Sequence, residues 1–391
     1  MPISNWDEMV ELPVMMMNFK AKYFFLLCLF VGVPTWAASQ EGIATLESEL
    51  EKIIQEGELV GLQVAVGAKS GLLFSGSYGT VSAGGDKKVD EKTLFLVASC
   101  SKPFASTCVL SLIADSEVPL QLDNPVSRWI PEYDMAKLKN GKSAERSPTV
   151  EELLCHRAGI YSQKFKMTPQ QSRWIRDFRL SLEESIEGIA ASPLQVVPGS
   201  SYAYSGAGYC VLGRVAELAT GKTFESLLQE RICEPLGMTR TTYFPASQFP
   251  LDEIATGSPR NASPHELGED HRLPLIGGSL YTTAEEMTLF GTAISEGWNG
   301  SGKTPLGLSQ ELIQNAGTSR SQKSQYGLGW KVVKRNGKTI ILSHSGSLNT
   351  HRAWLAVDLE RGISVAGCWT LSGLRQQPAV IEALQRFLAG D

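Results

Sequence analysis

The sequence predicts an α+β fold, in which both ends of the chain form one antiparallel sheet flanked by helices and the middle forms an inserted helical lobe. Strand-like runs lie at 59–68 and 72–78 and again between 326 and 369, whereas the pattern from about 120 to 240 is helical and rich in loops. An isolated two-stranded hairpin is only marginally stable, so we expect the two groups of strands to pair with each other. A cleft would then form between the sheet and the lobe, where binding sites commonly occur.

The first group of strands is framed by two predicted helices. The apolar residues of the first helix share one helical face, and they are Ile43, Leu46, Leu50, Ile53 and Ile54. Lys69-Ser70-Gly71 is typical of a turn between strands 59–68 and 72–78. A short apolar run at 94–98 then leads into a helical stretch at 99–115. This order places a strand-to-helix junction near residue 99.

The remaining elements complete the lobe and the sheet. Further helices are predicted at 150–156, 180–191, 208–219, 223–233, 284–296 and 309–315. The second group of strands is predicted at 326–335, 338–343, 352–358 and 362–369, and an amphipathic helix follows at 378–388. Asn336-Gly337 favours a type I′ hairpin between the first two of these strands. We therefore predict one domain over 39–391, with a sheet subdomain at about 42–115 and 275–391 and a helical lobe at about 116–274.

The composition excludes several classes of protein. The 391 residues are 42% hydrophobic and 20% charged, which is ordinary for a globular chain. The net charge is −5, and the sequence contains no stripe of basic residues. Nucleic acid is therefore not an expected partner. Five histidines and seven cysteines show no spacing that suits a metal site, so we expect no metal and no cofactor. The expected protein is a soluble enzyme or binding protein.

The N-terminal segment has the three-part plan of a secretory signal peptide. Lys20 and Lys22 precede the apolar run Tyr23–Val33, and a small-residue stretch Pro34–Ala38 follows it. The eleven apolar residues are too few to span a hydrocarbon core of about 30 Å. We expect residues 1–38 to be an N-terminal extension and signal peptide, removed on export. The mature protein would be periplasmic or secreted and would have no stable membrane span.

One motif suggests nucleophilic catalysis. Ser99-Cys100-Ser101-Lys102 is the only Ser-x-x-Lys in the chain, although chance alone supplies about one such match. It stands at the strand-to-helix junction, where the three-residue spacing puts Lys102 on the same helical face as Ser99. A lysine in a poorly solvated cleft has its pKa lowered enough to act as a base for a serine hydroxyl. The alternative is a helix-capping serine followed by a solvated lysine.

The segment Leu96–Phe104 (LVASCSKPF) resembles the nucleophile segment of the serine β-lactamase-related hydrolases. This family includes class C β-lactamases, DD-peptidases of the penicillin-binding protein type, D-amino-acid peptidases and β-lactamase-like esterases. Five further segments are similar to family motifs and stand in the family's order: Leu153–Gly159, Pro198–Gly199 with Tyr202–Tyr209, Pro235–Met238, Gly277–Thr283 and His344–Gly346. The resemblance covers about 42–389 and implies the β-lactamase/DD-peptidase fold.

The resemblance also implies roles for particular residues. Ser99 would be the acylated nucleophile, and Lys102 and Tyr204 would be the proton-transfer pair, in which either a lysine amine or a phenolate is the base. The backbone N–H groups of Ser99 and Ser347 would form the oxyanion hole. His344, Ser345, Gly346 and Ser347 would lie along the substrate, and no metal is implied. His344 has a second interpretation, a hydrogen-bonded structural residue.

Two positions depart from the family pattern. Gly206 stands where the Tyr-x-Asn motif has Asn, which in lactamases and DD-peptidases helps to hold the substrate amide and the lysine. The change favours ester chemistry. His344 stands where class C lactamases have Lys, and a neutral imidazole attracts a substrate carboxylate less than an ammonium does. His156, within the Leu-Leu-x-His segment, is expected to be scaffold rather than a member of a catalytic triad.

Together these observations predict an exported serine hydrolase that forms an acyl-enzyme with an ester or an amide, such as a β-lactam or a D-Ala peptide. Its partner would be a small-molecule or peptidoglycan-type substrate. The alternative, motivated by Gly206, is a non-hydrolytic penicillin-binding or sensor protein that is acylated without turnover. The sequence specifies neither the substrate nor the oligomeric state.

Overall fold

The computed structural model describes residues 39–57, 59–162, 167–257, 268, 270–300, 302–321, 324–373 and 379–390. The predicted signal peptide at 1–38 lies outside these residues. Within them, every helix is either too short or too polar to cross a bilayer.

Both ends of the chain contribute to one sheet, as the strand pattern predicts. The strands are β1 (Leu59–Ala68), β2 (Gly71–Gly79), β3 (Phe95–Leu96), β4 (Tyr281–Thr282), β5 (Lys331–Arg335), β6 (Lys338–Leu348), β7 (His351–Asp358) and β8 (Ile363–Leu371). Six of them form an antiparallel sheet in the order β2-β1-β8-β7-β6-β5, and β3 pairs with β4 separately. Because β1 pairs with β8, the strands that begin and end the sheet along the chain are neighbours. The predicted pairing of the two chain ends is confirmed.

Strands β5 and β6 differ from their predicted bounds. Residues 326–330 do not continue β5, because Gly329 has a φ of +86° and a side chain there would lie 2.1 Å from Ser106 Oγ. Strand β6 runs past residue 343 to Leu348, since β7 pairs with it along that whole length. Strand β5 lies at the edge of the sheet and pairs with β6 as far as Ser343. Among the described strands, only β7 pairs with β6 beyond that residue.

Helices cover the sheet and fill the segment between its two parts. They are α1 (Gln40–Gln55), α2 (Ser101–Ile113), α3 (Val150–Leu154), α4 (Pro169–Trp174), α5 (Leu182–Ala190), α6 (Gly206–Thr220), α7 (Phe224–Leu228), α8 (Glu234–Leu236), α9 (Pro245–Gln248), α10 (Ala284–Asn299), α11 (Gln310–Ala316) and α12 (Ala379–Ala389). A π-helical turn, Gln229–Cys233, joins α7 to α8. Sequence reasoning missed α4, α8 and α9, which are short and have proline at the first or second helical position.

The inner strands β1, β7 and β8 of the sheet are buried on both faces. Leu62, Val64 and Val66 of β1 belong to an apolar cluster with α1 and α12, whereas Ala65 belongs to the larger core on the opposite face. This alternation follows from the two-residue period of a strand. The larger core also contains α2, in which every residue from Ser101 to Leu112 is buried. Helix α2 is therefore a rigid central element from which a reactive group can be held in place.

Candidate active site

Ser99 lies at the junction between β3 and α2, as predicted. A 3₁₀ turn, Ala98–Cys100, connects the two elements, and Ala98 has a φ of +47°. A left-handed conformation at a non-glycine residue is strained and is typical of functional sites. Ala98 and Cys100 are buried, but Ser99 is only half-buried. The turn thus presents the Ser99 side chain toward solvent while its neighbours stay in the core.

Lys102 lies one helical turn after Ser99 and contacts its hydroxyl. Its Nζ is 3.2 Å from Ser99 Oγ and donates a second hydrogen bond to the Gly277 carbonyl at 2.7 Å. The side chain is only 2% exposed, so the alternative of a solvated lysine is wrong. Burial lowers the pKa of Lys102 to about 7, because desolvation disfavours the ammonium form. Near neutral pH a substantial fraction of this amine is therefore unprotonated.

Tyr204 brings a phenolic hydroxyl to Ser99 from the chain segment between the two groups of strands. It immediately precedes Ser205, the N-cap of α6, whose side chain accepts a hydrogen bond from the Gly208 N–H at 2.9 Å. The Tyr204 hydroxyl hydrogen-bonds with Ser99, and Lys102 Nζ is 4.6 Å from the centroid of its ring. Burial raises the pKa of Tyr204 well above its ordinary value of 10, and the bond to Ser99 opposes the shift only partly. The structure brings all three predicted catalytic side chains together.

The strand segment His344–Ser347 lies directly against the 3₁₀ turn that carries Ser99. A side chain at Gly346 would lie 2.1 Å from the Val97 carbonyl oxygen, so glycine is required for this close approach. The thiol of Cys100 donates a hydrogen bond to the His344 carbonyl at 3.3 Å. Ser345 and Ser347 point to the opposite face of β6 from His344 and Gly346, because side chains alternate along a strand. The participation of the Ser347 N–H in an oxyanion hole stays a prediction.

His344 is held by two hydrogen bonds inside the protein. Its Nδ1 lies 2.9 Å from the Ser345 carbonyl, which can only accept, so Nδ1 carries the proton. Its Nε2 then accepts from the Tyr326 hydroxyl at 3.0 Å. The ring is 2% exposed, and burial followed by the nearby charge of Lys102 lowers its pKa well below 6.5. This geometry favours the structural interpretation of His344 over the substrate-lining one.

Gly206, the departure from the family motif, is buried as the first residue of α6. The polar partners recorded for Lys102 Nζ are the Ser99 hydroxyl and the Gly277 carbonyl. A backbone carbonyl therefore holds the lysine in a site where position 206 supplies no side chain.

Sequence reasoning missed two tyrosines that surround the site. The Tyr209 hydroxyl donates to the Leu154 carbonyl at 3.0 Å and lies 2.9 Å from Ser106 Oγ. Tyr326 bonds to His344, and both tyrosine rings pack within 5.1 Å of the His156 ring, centroid to centroid. Tyr209 lies within a motif that the sequence singled out, but Tyr326 carried no signal, because it falls at the start of a run predicted as a strand. The described residues contain no group of three or more His, Cys, Asp or Glu placed to hold a metal ion.

Comparisons with known proteins agree with the family resemblance and with the predicted fold. A family model described as Beta-lactamase matches residues 46–386. Esterase EstB from Burkholderia gladioli is 32% identical over 203 residues, which are 50% of this chain and 50% of that protein. Across the curated relatives compared, the match spans 33% to 66% of each relative's own length.

Two solved structures resemble the fold over nearly the whole described chain. One is EstCE1, a hydrolase with promiscuous acyltransferase activity, with a TM-score of 0.73 and 20% identity over 88% of this chain and 98% of that one. The other is the D-amino acid amidase from Ochrobactrum anthropi SV3, with a TM-score of 0.67 and 21% identity over 90% of this chain and 98% of that one. At these identities the likeness shows the fold alone, in agreement with the predicted architecture.

Proposed function

The chain belongs to the beta-lactamase family, and from that premise we propose that it is a serine hydrolase that cleaves an ester or an amide through an acyl-enzyme on Ser99. The main support is the 3.2 Å contact between the Ser99 hydroxyl and the buried Lys102 amine. A serine hydroxyl is a weak nucleophile until a neighbouring base accepts its proton. The Tyr204 hydroxyl, bonded to the same serine, supplies a second route for that proton.

Lys102 fits the role of base better than Tyr204 does. Burial lowers the pKa of Lys102 to about 7 but raises the pKa of Tyr204 well above 10. Near pH 7 the neutral amine is therefore populated, whereas the phenolate is not. A base is most effective when its pKa lies near the working pH. Tyr204 would then act as a neutral hydroxyl that passes a proton between Lys102 and the substrate.

The proposed reaction has two steps. In the first, the Ser99 oxygen attacks the substrate carbonyl carbon as Lys102 takes the serine proton, and the C–O bond to the leaving alcohol breaks while Tyr204 protonates it. Lys102 returns the proton to Tyr204. In the second step a water molecule gives one proton to Lys102 and attacks the acyl carbon. The C–O bond to Ser99 then breaks as Lys102 passes that proton to the Ser99 oxygen, which releases the carboxylic acid and restores the Ser99 hydroxyl and the neutral amine. The backbone N–H groups of Ser99 and Ser347 would stabilise the oxyanion in both steps.

A carboxylic ester is the substrate class that we favour. Position 206 supplies no side chain to hold a substrate amide, and buried His344 is neutral and engaged with Tyr326. An alcohol also leaves more readily than an amine, so an ester needs less help from the protein. EstB, the relative that is 32% identical, is named an esterase. The alternative, a protein that is acylated without turnover, rests on the same glycine.

A panel of substrates separates these functions. We expect the purified chain to turn over p-nitrophenyl butyrate steadily, and to act more slowly on nitrocefin and on a D-Ala-D-Ala peptide. The measurement is product formed per mole of protein over time. A burst of one equivalent of product that then stops would favour the acylated sensor. No product from any of the three substrates would contradict the proposed function.

We further propose that the protein is exported to the periplasm or secreted. The support is the charged, apolar and small-residue plan of residues 18–38. The expected result is a mature N-terminus after Ala37 or Ala38 when the full chain is expressed in a bacterium and purified from the cell envelope fraction. N-terminal sequencing measures this directly. An uncleaved chain found in the cytosolic fraction would contradict the proposal.

A further inference from the structure

His156 forms hydrogen bonds with the residues on both sides of Tyr204 in the chain. The His156 carbonyl accepts a hydrogen bond from the Ala203 N–H at 2.8 Å, and His156 Nδ1 accepts one from the Ser205 N–H at 3.1 Å. These two donors are the backbone N–H groups of the residues immediately before and after Tyr204. One residue thus holds the peptide group that follows the proposed proton carrier and the peptide group between residues 202 and 203.

The His156 ring also packs against the Tyr204 ring. Their centroids are 4.3 Å apart, which is closer than any other aromatic contact recorded for Tyr204. The His156 side chain is 2% exposed, so the contact is dry. The same Tyr204 ring lies 4.6 Å from Lys102 Nζ and carries the hydroxyl that bonds to Ser99. A displacement of His156 would therefore be transmitted to the proton-transfer pair.

The backbone of His156 adopts the conformation that this double contact requires. Its φ of +58° lies in the left-handed region, at the point where the chain leaves the short helix α3. Few residue types adopt that region readily; glycine does so freely, and Asn, Asp and His are enriched there. The position therefore needs a residue that tolerates a positive φ and also carries a hydrogen-bond acceptor close to its own backbone.

The ring acts as an acceptor only in its neutral form. Since Nδ1 accepts from Ser205, the proton of the neutral ring lies on Nε2, which has no hydrogen-bond partner among the described residues. Burial, then the nearby charge of Lys102, holds the pKa of His156 well below 6.5. An unpartnered buried N–H is unfavourable, so the tautomer that lets Nδ1 accept from Ser205 carries a free-energy cost at Nε2.

We propose that His156 is a positioning residue for Tyr204, holding the tyrosine hydroxyl against Ser99 through the hydrogen bonds to Ala203 and Ser205 and through ring packing. The inference rests on the proposed function for its catalytic consequence but on the contacts alone for its structural one. It goes beyond the scaffold role that the sequence predicts for His156, because it assigns the residue to a particular catalytic side chain.

Two substitutions test the proposal, since both tolerate a positive φ. His156→Asn keeps an acceptor, because Asn Oδ1 occupies about the place of His Nδ1. His156→Gly removes the acceptor and the ring but keeps the backbone. With p-nitrophenyl acetate, an uncharged ester, we expect His156→Gly to lower kcat by about 10- to 100-fold with KM within about twofold. We expect His156→Asn to stay within about threefold of the native kcat. Ser200→Ala, which removes an exposed hydroxyl bonded to the Val197 carbonyl, is the matched control.

Crystal structures of the two variants give a second readout that does not depend on turnover. We expect Tyr204 to be displaced from Ser99 in His156→Gly and to stay in place in His156→Asn. A native kcat in His156→Gly, or an undisplaced Tyr204 in its structure, would overturn the proposal. If the Gly variant fails to fold in thermal unfolding, the Asn variant decides: Tyr204 displaced despite the retained acceptor contradicts the inference. A native chain without turnover would overturn the proposed function but leave the structural readout decisive for His156.

Discussion

Replacing Ser99 by alanine is expected to lower the rate of ester hydrolysis by about 10³-fold or more while leaving the fold intact. The substitution removes the oxygen that would form the acyl bond, so no acyl-enzyme can form at residue 99. Ser99 is half-buried in the 3₁₀ turn before α2, and its hydroxyl bonds to Lys102 and Tyr204. The measurement is steady-state hydrolysis of p-nitrophenyl butyrate together with labelling by a fluorescent fluorophosphonate.

Labelling identifies the nucleophile independently of turnover. We expect one equivalent of label on the native chain, located by mass spectrometry on the peptide that contains Ser99, and no label on Ser99→Ala. Ser200→Ala, which changes an exposed serine outside the site, should label as the native chain does. Full labelling of Ser99→Ala would show that another residue is the nucleophile, even if the rate falls.

The sequence predicted the local part of this site better than its distant part. Ser99 and Lys102 are three residues apart on one helix, so helical geometry alone places their side chains together. Tyr204 comes from the helical lobe, more than one hundred residues away, and only the resemblance to a family linked it to Ser99. Gly277 lies in a family motif, but nothing in that motif indicated that its carbonyl holds Lys102. Tyr326 carried no signal, because a tyrosine in an apolar run is more often a core residue.

The fold shows the same division between local and long-range information. Alternation and turn residues predicted β1, β2, β7 and β8 closely, and the instability of lone hairpins predicted that β1 and β8 share a sheet. Asn336-Gly337 predicted that β5 pairs with β6, and this pairing is confirmed, but the bounds of the two strands were not predictable. They depend on how far β5 pairs along β6 and on the close contact of Gly329 with Ser106, which are both long-range. Because β5 pairs with β6 only as far as Ser343, it does not cover the later part of β6, and the 3₁₀ turn that carries Ser99 lies against that part.

Replacing Lys102 by methionine is expected to have opposite effects on activity and on stability. Loss of the base should lower kcat for p-nitrophenyl butyrate by about 10²- to 10⁴-fold. Methionine has a similar length but no charge to desolvate, so a cost of folding present in the native chain is removed. The loss of the hydrogen bond to the Gly277 carbonyl acts in the other direction. The pH dependence of the difference in free energy of unfolding between the two chains separates the effect of the lysine charge from the effect of the hydrogen bond.

The sign of that dependence follows from the lowered pKa. Between about 7, the pKa of folded Lys102, and 10.5, its ordinary value in an unfolded chain, the unfolded state holds a proton that the folded state has released. The free energy of unfolding of the native chain therefore rises with pH in this window, by up to about 1.4 kcal/mol per pH unit from this group. Methionine does not titrate, and all other groups are common to both chains. The stability of Lys102→Met relative to the native chain should therefore fall steadily from pH 7 to pH 10.

Urea unfolding of the two chains at pH 6, 8 and 9.5 measures this difference, with Lys139→Met, a change at an exposed lysine, as the control for the loss of one charge. A difference that stays constant over this range would mean that the pKa of Lys102 is not lowered in the folded state. The amine would then be an ammonium near neutral pH and unable to accept the serine proton, and the assignment of the base would pass to Tyr204. The stability measurement thus tests the mechanism without a substrate, because the desolvation that makes Lys102 a base is the same effect that makes it unfavourable to bury.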